Sequence, residues 1–243
     1  MGGNDAWTYG GGSTWGTAVT EDVIVDIEGV HIIGVSADPL GVPWQPETDG
    51  GVCCTIEALG VEVAGFVFQD PIYNAATGIS CIWSGALTFG ENAHIHNCFF
   101  YADLVAGIQL EYSWNNHIHD CEFQAPDYGI YCDPAEDGFA YCVIERCTFH
   151  DCTTSAISAT AGCDDNQVRE CWVWNSAAQA AGAATNEGFD FTGGATNMVS
   201  NCFFSCLLPV PAAGDLNDLC SGSATDAWVG CHAMDGLVVA TPT

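Results

Sequence analysis

Four histidines carry the most pointed chemistry in this chain. His94 and His96 flank Ile95, and His117 and His119 flank Ile118. Neighbours in a strand point to opposite faces. If both isoleucines point inward, all four imidazoles point outward on adjacent rungs. They would then form a square of about 4.8 Å by 7 Å. Imidazole nitrogens at such spacing suit zinc, nickel or copper. The plainer alternative is a polar stack on an exposed sheet. Acidic loops offer oxygen ligands of the kind calcium takes: Asp133, Glu136 and Asp137 in one, Asp164 and Asp165 in another, Asp215 and Asp218 in a third. With Asp and Glu totalling 31, some clustering arises by chance. Solvated loops are the simpler account of it. Asp164, Asp165, Glu187 and Asp190 are also candidates for the paired carboxylates of glycoside hydrolysis.

Three tryptophans are candidate contacts for sugar rings or a protein partner. Trp172 and Trp174 alternate with Val173 and should face outward; Trp114 lies near Tyr112 at a corner. The following stretch, 175–186, could instead cover them.

Charge narrows the partners. Lys and Arg total 2 against 31 acids, a formal net charge of −29. The two basic residues are Arg146 and Arg169, and lysine is absent. Such a surface repels nucleic acid and anionic membranes and attracts cations. Its self-repulsion is screened in salt. No apolar run reaches the roughly 18 residues of a membrane span. The Gly-rich polar start, residues 1–13, does not read as a signal peptide. A chain of 243 residues with 49% hydrophobic content can bury one core.

The 15 cysteines suggest a disulfide scaffold or zinc, but no Cys-x-x-Cys pair occurs. Their spacing supplies another reading. The segments NAHIHNCFF, NNHIHDCEF, YCVIERCTF, NQVRECWVW and TNMVSNCFF share one frame. An apolar column runs Ile95, Ile118, Ile144, Val168, Val199. Three positions on come Cys98, Cys121, Cys147, Cys171 and Cys202, then two further on Phe100, Phe123, Phe149, Val173 and Phe204. Val63 before Phe66 and Phe68, and Ile32 before Val35, extend the frame backward. Upstream in each coil lies an apolar-x-apolar pair: Val25/Ile27, Cys54/Ile56, Ile79/Cys81, Ile108/Leu110, Ile130/Cys132, Ile157/Ala159, Phe189/Phe191. Small residues such as Gly78, Gly107, Gly129, Ala156 and Gly188 precede most of them.

Successive cysteines lie 23, 26, 24 and 31 residues apart. Three short period-2 segments per repeat, in register, predict an all-β, right-handed parallel β-helix of about seven to eight coils. The cysteines are then inward packing residues. Stacked one rung apart, their Cβ atoms would sit near 4.8 Å, beyond usual disulfide reach. Cys152 with a neighbouring-loop cysteine, Cys206, Cys220, and Cys132 with Cys142 are better disulfide candidates. Asn97, Asp120, Arg146, Glu170 and Asn201 form a corner column. Arg146 should pair with Asp120 and Glu170, and Arg169 with Glu145, which makes both arginines surface ion pairs.

The repeated Asn-x-x-Ile-x-Asn-Cys-x-Phe frame, with the opening VIVDIEGVHIIGV, resembles the pectate-lyase-like β-helix superfamily over roughly residues 20–205. That group includes polysaccharide lyases, polygalacturonases, phage tailspikes and surface proteins. The resemblance implies a lyase chemistry in which Arg or Lys takes a proton beside Asp-held calcium. It also implies a polygalacturonase set, of which only Asp164–Asp165 is matched. Both catalytic sets are therefore missing here.

Residues 1–20 read as an N-terminal arm or cap, 21–205 as the β-helix, and 206–243 as a last coil and cap. The expected function is a non-enzymatic structural or display module: a virion decoration or tail component, or an extracellular fibre unit. Such a module would form trimers, stack, or bind a capsid or surface protein. The alternative is a carbohydrate-active enzyme or polysaccharide-binding protein. The expected cofactors are at most calcium or zinc; no nucleic acid or membrane partner is expected.

Overall fold

The computed structural model describes residues 8–9, 13–14, 18–36, 41–70, 76–82, 90–102, 104–132, 138–160, 162–175, 187–206, 220–222 and 225–233. Three parallel sheets of eight, eight and nine strands dominate it. The first runs from Val23–Val25 to Cys220–Gly222, the second from His31–Ile33 to Ala227–Val229, and the third from Val19–Thr20 to His232–Ala233. Each coil visits the three sheets in turn and stacks on the coil before it. No helix occurs among the described residues. Short ladders lie apart from the three sheets: Thr8–Tyr9 with Ser13–Thr14, antiparallel, and Ser113–Trp114 with Phe139–Ala140, parallel.

The apolar columns of the sequence are the inner faces of these sheets. Ile32, Val63, Ile95, Ile118, Ile144, Val168, Val199 and Trp228 are direct partners through the second sheet. In the third sheet Trp44, Phe68, Phe100, Phe123, Phe149, Val173 and Phe204 follow one another. The rings of Phe68, Phe100, Phe123 and Phe149 stack at centroid spacings of 5.0, 4.7 and 4.6 Å. Rung spacing thus matches a favourable offset stack.

Two sequence assignments in the first coils are corrected. Val35 does not enter the cysteine column: it is 87% exposed, and Val42, the register partner of Phe66, takes that place. A stretch between Gly34 and Gly41 delays the third strand, a length change that a fixed spacing cannot foresee. The inward pair of the first coil is Val23 and Val25, opposite Cys54 and Ile56, rather than Val25 and Ile27. Ile27 is 66% exposed.

The cysteine column lies just after a corner, where the chain leaves the second sheet for the third. Cys98, Cys121, Cys147, Cys171 and Cys202 are buried and free. Each thiol lies 3.4 Å from the carbonyl oxygen two residues upstream. It also lies 3.8–3.9 Å from a carbonyl one coil below. A small, weakly donating hydrophobe suits this position. Cys132, Cys142 and Cys152 are not disulfide-bonded either, so the pairs expected at them do not form. The side chains of Cys206 and Cys220 lie outside the described residues.

Left-handed residues fence the second sheet on both sides. Before its strands stand Gly29, Gly60, Asn92, Asn115, Tyr141, Asp165 and Thr196; after them stand Gly65, Asn97, Asp120, Arg146, Glu170, Asn201 and Gly230, all with positive φ. Two such corners confine each of the six inner strands to three residues, of which only the middle one points inward. The two flanking residues of every strand face outward, and they stack in register.

Between the first and second sheets runs a buried polar column. The Oδ1 atoms of Asn116, Asn166, Asn197 and Asp226 accept the main-chain N–H of Ala93, Cys142, Asn166 and Asn197, at 2.8, 3.0, 3.1 and 2.8 Å. Each side chain caps the coil below it at a corner where the ladder is interrupted, so these three amides and one carboxylate satisfy otherwise orphaned main-chain donors.

Candidate functional site

The outer face of the second sheet brings the four histidines together. His94 pairs with His117 and His96 with His119 in the strand register. Ring centroids lie 5.2 and 4.9 Å apart along the rungs and 4.6 and 4.5 Å apart across each strand. The square is therefore tighter across the strand than simple pleat geometry suggests. The rings lean inward until His94 Nε2 and His119 Nε2 are 2.6 Å apart on the diagonal.

Carboxylates surround the cluster on three sides. Below His94, Glu62 accepts a hydrogen bond from His96 Nε2 at 2.8 Å and another from His31 Nδ1. Above it, Glu145 Oε1 lies 3.1 Å from His117 Nε2. At the corner, Asp120 Oδ2 lies 2.6 Å from His119 Nδ1. Hydrogen bonds from His96 and then His31 hold the Glu62 carboxyl at about 2. The Arg146 guanidinium, assisted by His119, does the same for Asp120, at about 2. Burial would raise Glu145, but hydrogen bonds from Arg146, Arg169 and His117 outweigh it and bring it to about 2. Desolvation, with His96, His119 and His117 adding to it, lowers the His94 pKa.

Two ligand sets follow from this geometry. His94, His117 and His119 each offer a nitrogen within 4.8 Å of the others, as do Glu62, His94 and His96 with a carboxylate oxygen in place of one nitrogen. Glu62 was not among the candidates of the sequence reading. Its signal was there: aligning Val63 with Ile95 places Glu62 directly under His94.

Both arginines are engaged next to this cluster. Arg146 binds Asp120 through Nε at 2.9 Å and Nη2 at 3.0 Å, and Glu145 through Nη1 at 2.6 Å. Its expected partner above, Glu170, is replaced by Glu145, the preceding residue, because that carboxylate turns toward the corner. Arg169 Nε reaches Glu145 Oε2 at 2.5 Å, as the register requires.

The remaining candidates are dispersed. Trp172 is 48% exposed and lies directly below Phe203, which is 44% exposed. Trp174 is half-buried and stacks on His150 at 4.6 Å. Trp114 is half-buried in the short ladder beside Ala140. Asp164 Oδ1 accepts the main-chain N–H of Ala195 at 2.7 Å, and Asp165 Oδ1 accepts from Thr196 Oγ1 at 2.5 Å. These two carboxylates fasten the next coil. Asp190 Oδ1 accepts from Thr192 N and Oγ1 at 3.0 and 2.7 Å. The Glu187 side chain, the acids at 133–137, and Asp215 and Asp218 lie outside the described residues.

Stacked parallel sheets whose inward residues align in columns from coil to coil define a right-handed parallel β-helix. Residues 53–204 match the family model of the right-handed β-helix region, and the chain belongs to that family. No curated protein matches the chain, and neither does any solved structure.

Proposed function

We propose that this protein is a non-enzymatic structural or display β-helix, of the kind that decorates a virion or builds an extracellular fibre. The observation that carries the reading is the commitment of both arginines to Asp120 and Glu145. With no lysine in the chain, no other basic side chain of the Arg or Lys type is available to act as the base, or to bind an anionic polysaccharide as its cation. Asp164, Asp165 and Asp190 are likewise spent on fastening turns. The inner columns of thiols, aromatic rings and asparagines make a rigid rod, and its acidic surface resists nonspecific association. Self-association as a trimer or an end-to-end stack, or attachment to a capsid or surface protein, fits this role.

The test is an assay on a panel of neutral and uronate polysaccharides, with and without calcium, for new reducing ends and unsaturated products. The reading expects none, and expects the chain to co-sediment with particles or filaments from its source. Calcium-dependent cleavage of any member would overturn it. A second reading, glycan binding without cleavage, is favoured by the adjacent exposed rings of Trp172 and Phe203. Sugar-dependent quenching of tryptophan fluorescence, lost in Trp172→Ala, would support it.

A further inference from the structure

We propose that His94, His117 and His119 bind one borderline divalent cation, of the zinc or nickel type, on the outer face of the second sheet. This site is independent of the structural reading above. Three features argue for it. The register stacks His94 on His117, and places His119 on the same strand as His117. The three rings therefore sit on a rigid ladder rather than on loops, so their convergence needs no folding around the ion. Each offers a nitrogen within 4.8 Å of the other two.

The second feature is tautomeric. Asp120 Oδ2 sits 2.6 Å from His119 Nδ1, which puts the proton on that nitrogen. The 3.4 Å approach of Arg146 Nη2 to the same atom is too long to compete. His119 Nε2 is left with its lone pair, and that lone pair faces His94 Nε2 at 2.6 Å. Glu145 Oε1, 3.1 Å from His117 Nε2, holds that ring's proton on Nε2 and leaves Nδ1 as its donor atom. Carboxylates behind the imidazoles are the arrangement that fixes metal-binding histidines and raises their basicity.

The third feature is distance. Two Zn–N bonds of about 2.0–2.1 Å at a tetrahedral angle separate the nitrogens by roughly 3.3 Å. The diagonal needs to open by only about 0.7 Å, within the reach of small χ rotations. Three nitrogens leave a fourth position for water or an outside ligand. Nitrogen donors discriminate against calcium and magnesium, which prefer all-oxygen sites. That separates this site from diffuse cation attraction by the −29 surface.

The experiment is calorimetric titration of the intact, reduced protein with Zn²⁺ and separately Ni²⁺, in about 1 M NaCl, which shortens the screening length to about 3 Å. Calcium serves as the comparison cation. The proposal expects one saturable equivalent per chain for zinc and nickel and none for calcium. His94→Gln and His119→Gln should each weaken binding about 100-fold or more. Asp120→Asn, which keeps a residue tolerant of the left-handed corner, should weaken it about 10–100-fold. His232→Gln, on the third sheet, should leave it unchanged. Circular dichroism and the denaturation midpoint of each variant show that the fold persists. Absence of saturable zinc or nickel binding up to millimolar concentration would overturn the proposal. So would binding that survives His94→Gln and His119→Gln in folded protein, or equal binding of calcium.

Discussion

Ala156 and Val173 lie on the same coil, and each differs from the residues directly below and above it in its column: Gly129 and Gly188 flank Ala156, and Phe149 and Phe204 flank Val173. Where the column in the first sheet carries Gly78, Gly107 and Gly129, the third sheet carries Phe100, Phe123 and Phe149 on the same coils. A Cβ added at Gly129 would come within 2.6 Å of Phe149 Cδ1, and one at Gly107 equally close to Phe123 Cδ1. The chain carries a methyl at 156 where the facing side chain shrinks to valine. The core is thus filled coil by coil, large against small.

This pairing makes a coupled prediction. Val173→Phe alone overpacks the coil and should destabilise by about 1–3 kcal/mol. Ala156→Gly should recover part of that loss when combined with it, although alone it costs about 0.5–1 kcal/mol. Chemical denaturation of the two single variants and the double variant measures the coupling. Strictly additive effects would contradict the packing described.

The asparagine column predicts a second result. Asn166 is buried, and its Oδ1 and Nδ2 reach Cys142 N and Phe139 O at 3.0 Å each. Asn166→Ala orphans both groups and should cost about 1–3 kcal/mol per unsatisfied group. Urea denaturation checks it. Asn166→Asp near pH 4, where the buried carboxyl is protonated and offers one acceptor and one O–H donor in a different geometry, should fall between wild type and Ala.

At the corners strain is the issue. Glu170 has φ of 55°, and four of the six other residues in that column are glycine or asparagine. Glu170→Gly should raise stability by up to about 1 kcal/mol, the relief of a left-handed side chain less the added entropy of the unfolded glycine. Glu170→Gln, which removes the same charge without changing the backbone preference, separates this from charge relief.

Alkaline pH should unfold the protein steeply. Burial pushes the Cys54 and Cys142 thiols up to about 12, and raises Cys81, Cys121, Cys147 and Cys171 as well. An unfolded thiol ionises near about 8.5. The folded pKa values are raised, so this stabilisation is complete below about 8.5 and is lost as pH rises toward 12. Each thiol contributes a slope of about 1.4 kcal/mol per pH unit inside that window. Denaturation midpoints measured with reductant from pH 7 to 10 should fall faster than in a variant with Cys121 and Cys147 replaced by Val.

The fold was legible because its inner columns repeat in register. Ile95, Cys98 and Phe100 recur at fixed offsets, and no other architecture needs that. The first coil was misread at Val35 and Ile27 because loop length there varies while the pattern is short. The buried asparagines escaped notice because Asn116, Asn166 and Asn197 look like ordinary corner residues. Only their neighbours one coil below reveal the bonds they make. The histidine square was visible from the alternation of His94 to His96 and His117 to His119. Its carboxylate surround was less so, since Glu62 and Glu145 reach it only through the stacking of coils. The disulfides expected at Cys132, Cys142 and Cys152 failed because proximity in sequence does not place these thiols together on the rungs.

The central claim is that the cysteine column is reduced, buried packing. Alkylation of the native protein without reductant, followed by denaturation, a second isotopically distinct alkylation and peptide mass spectrometry, tests it directly. Cys98, Cys121, Cys147 and Cys171 should carry only the second label, in full yield. Recovery of any of them in a disulfide-linked peptide, or with the first label, would contradict the account.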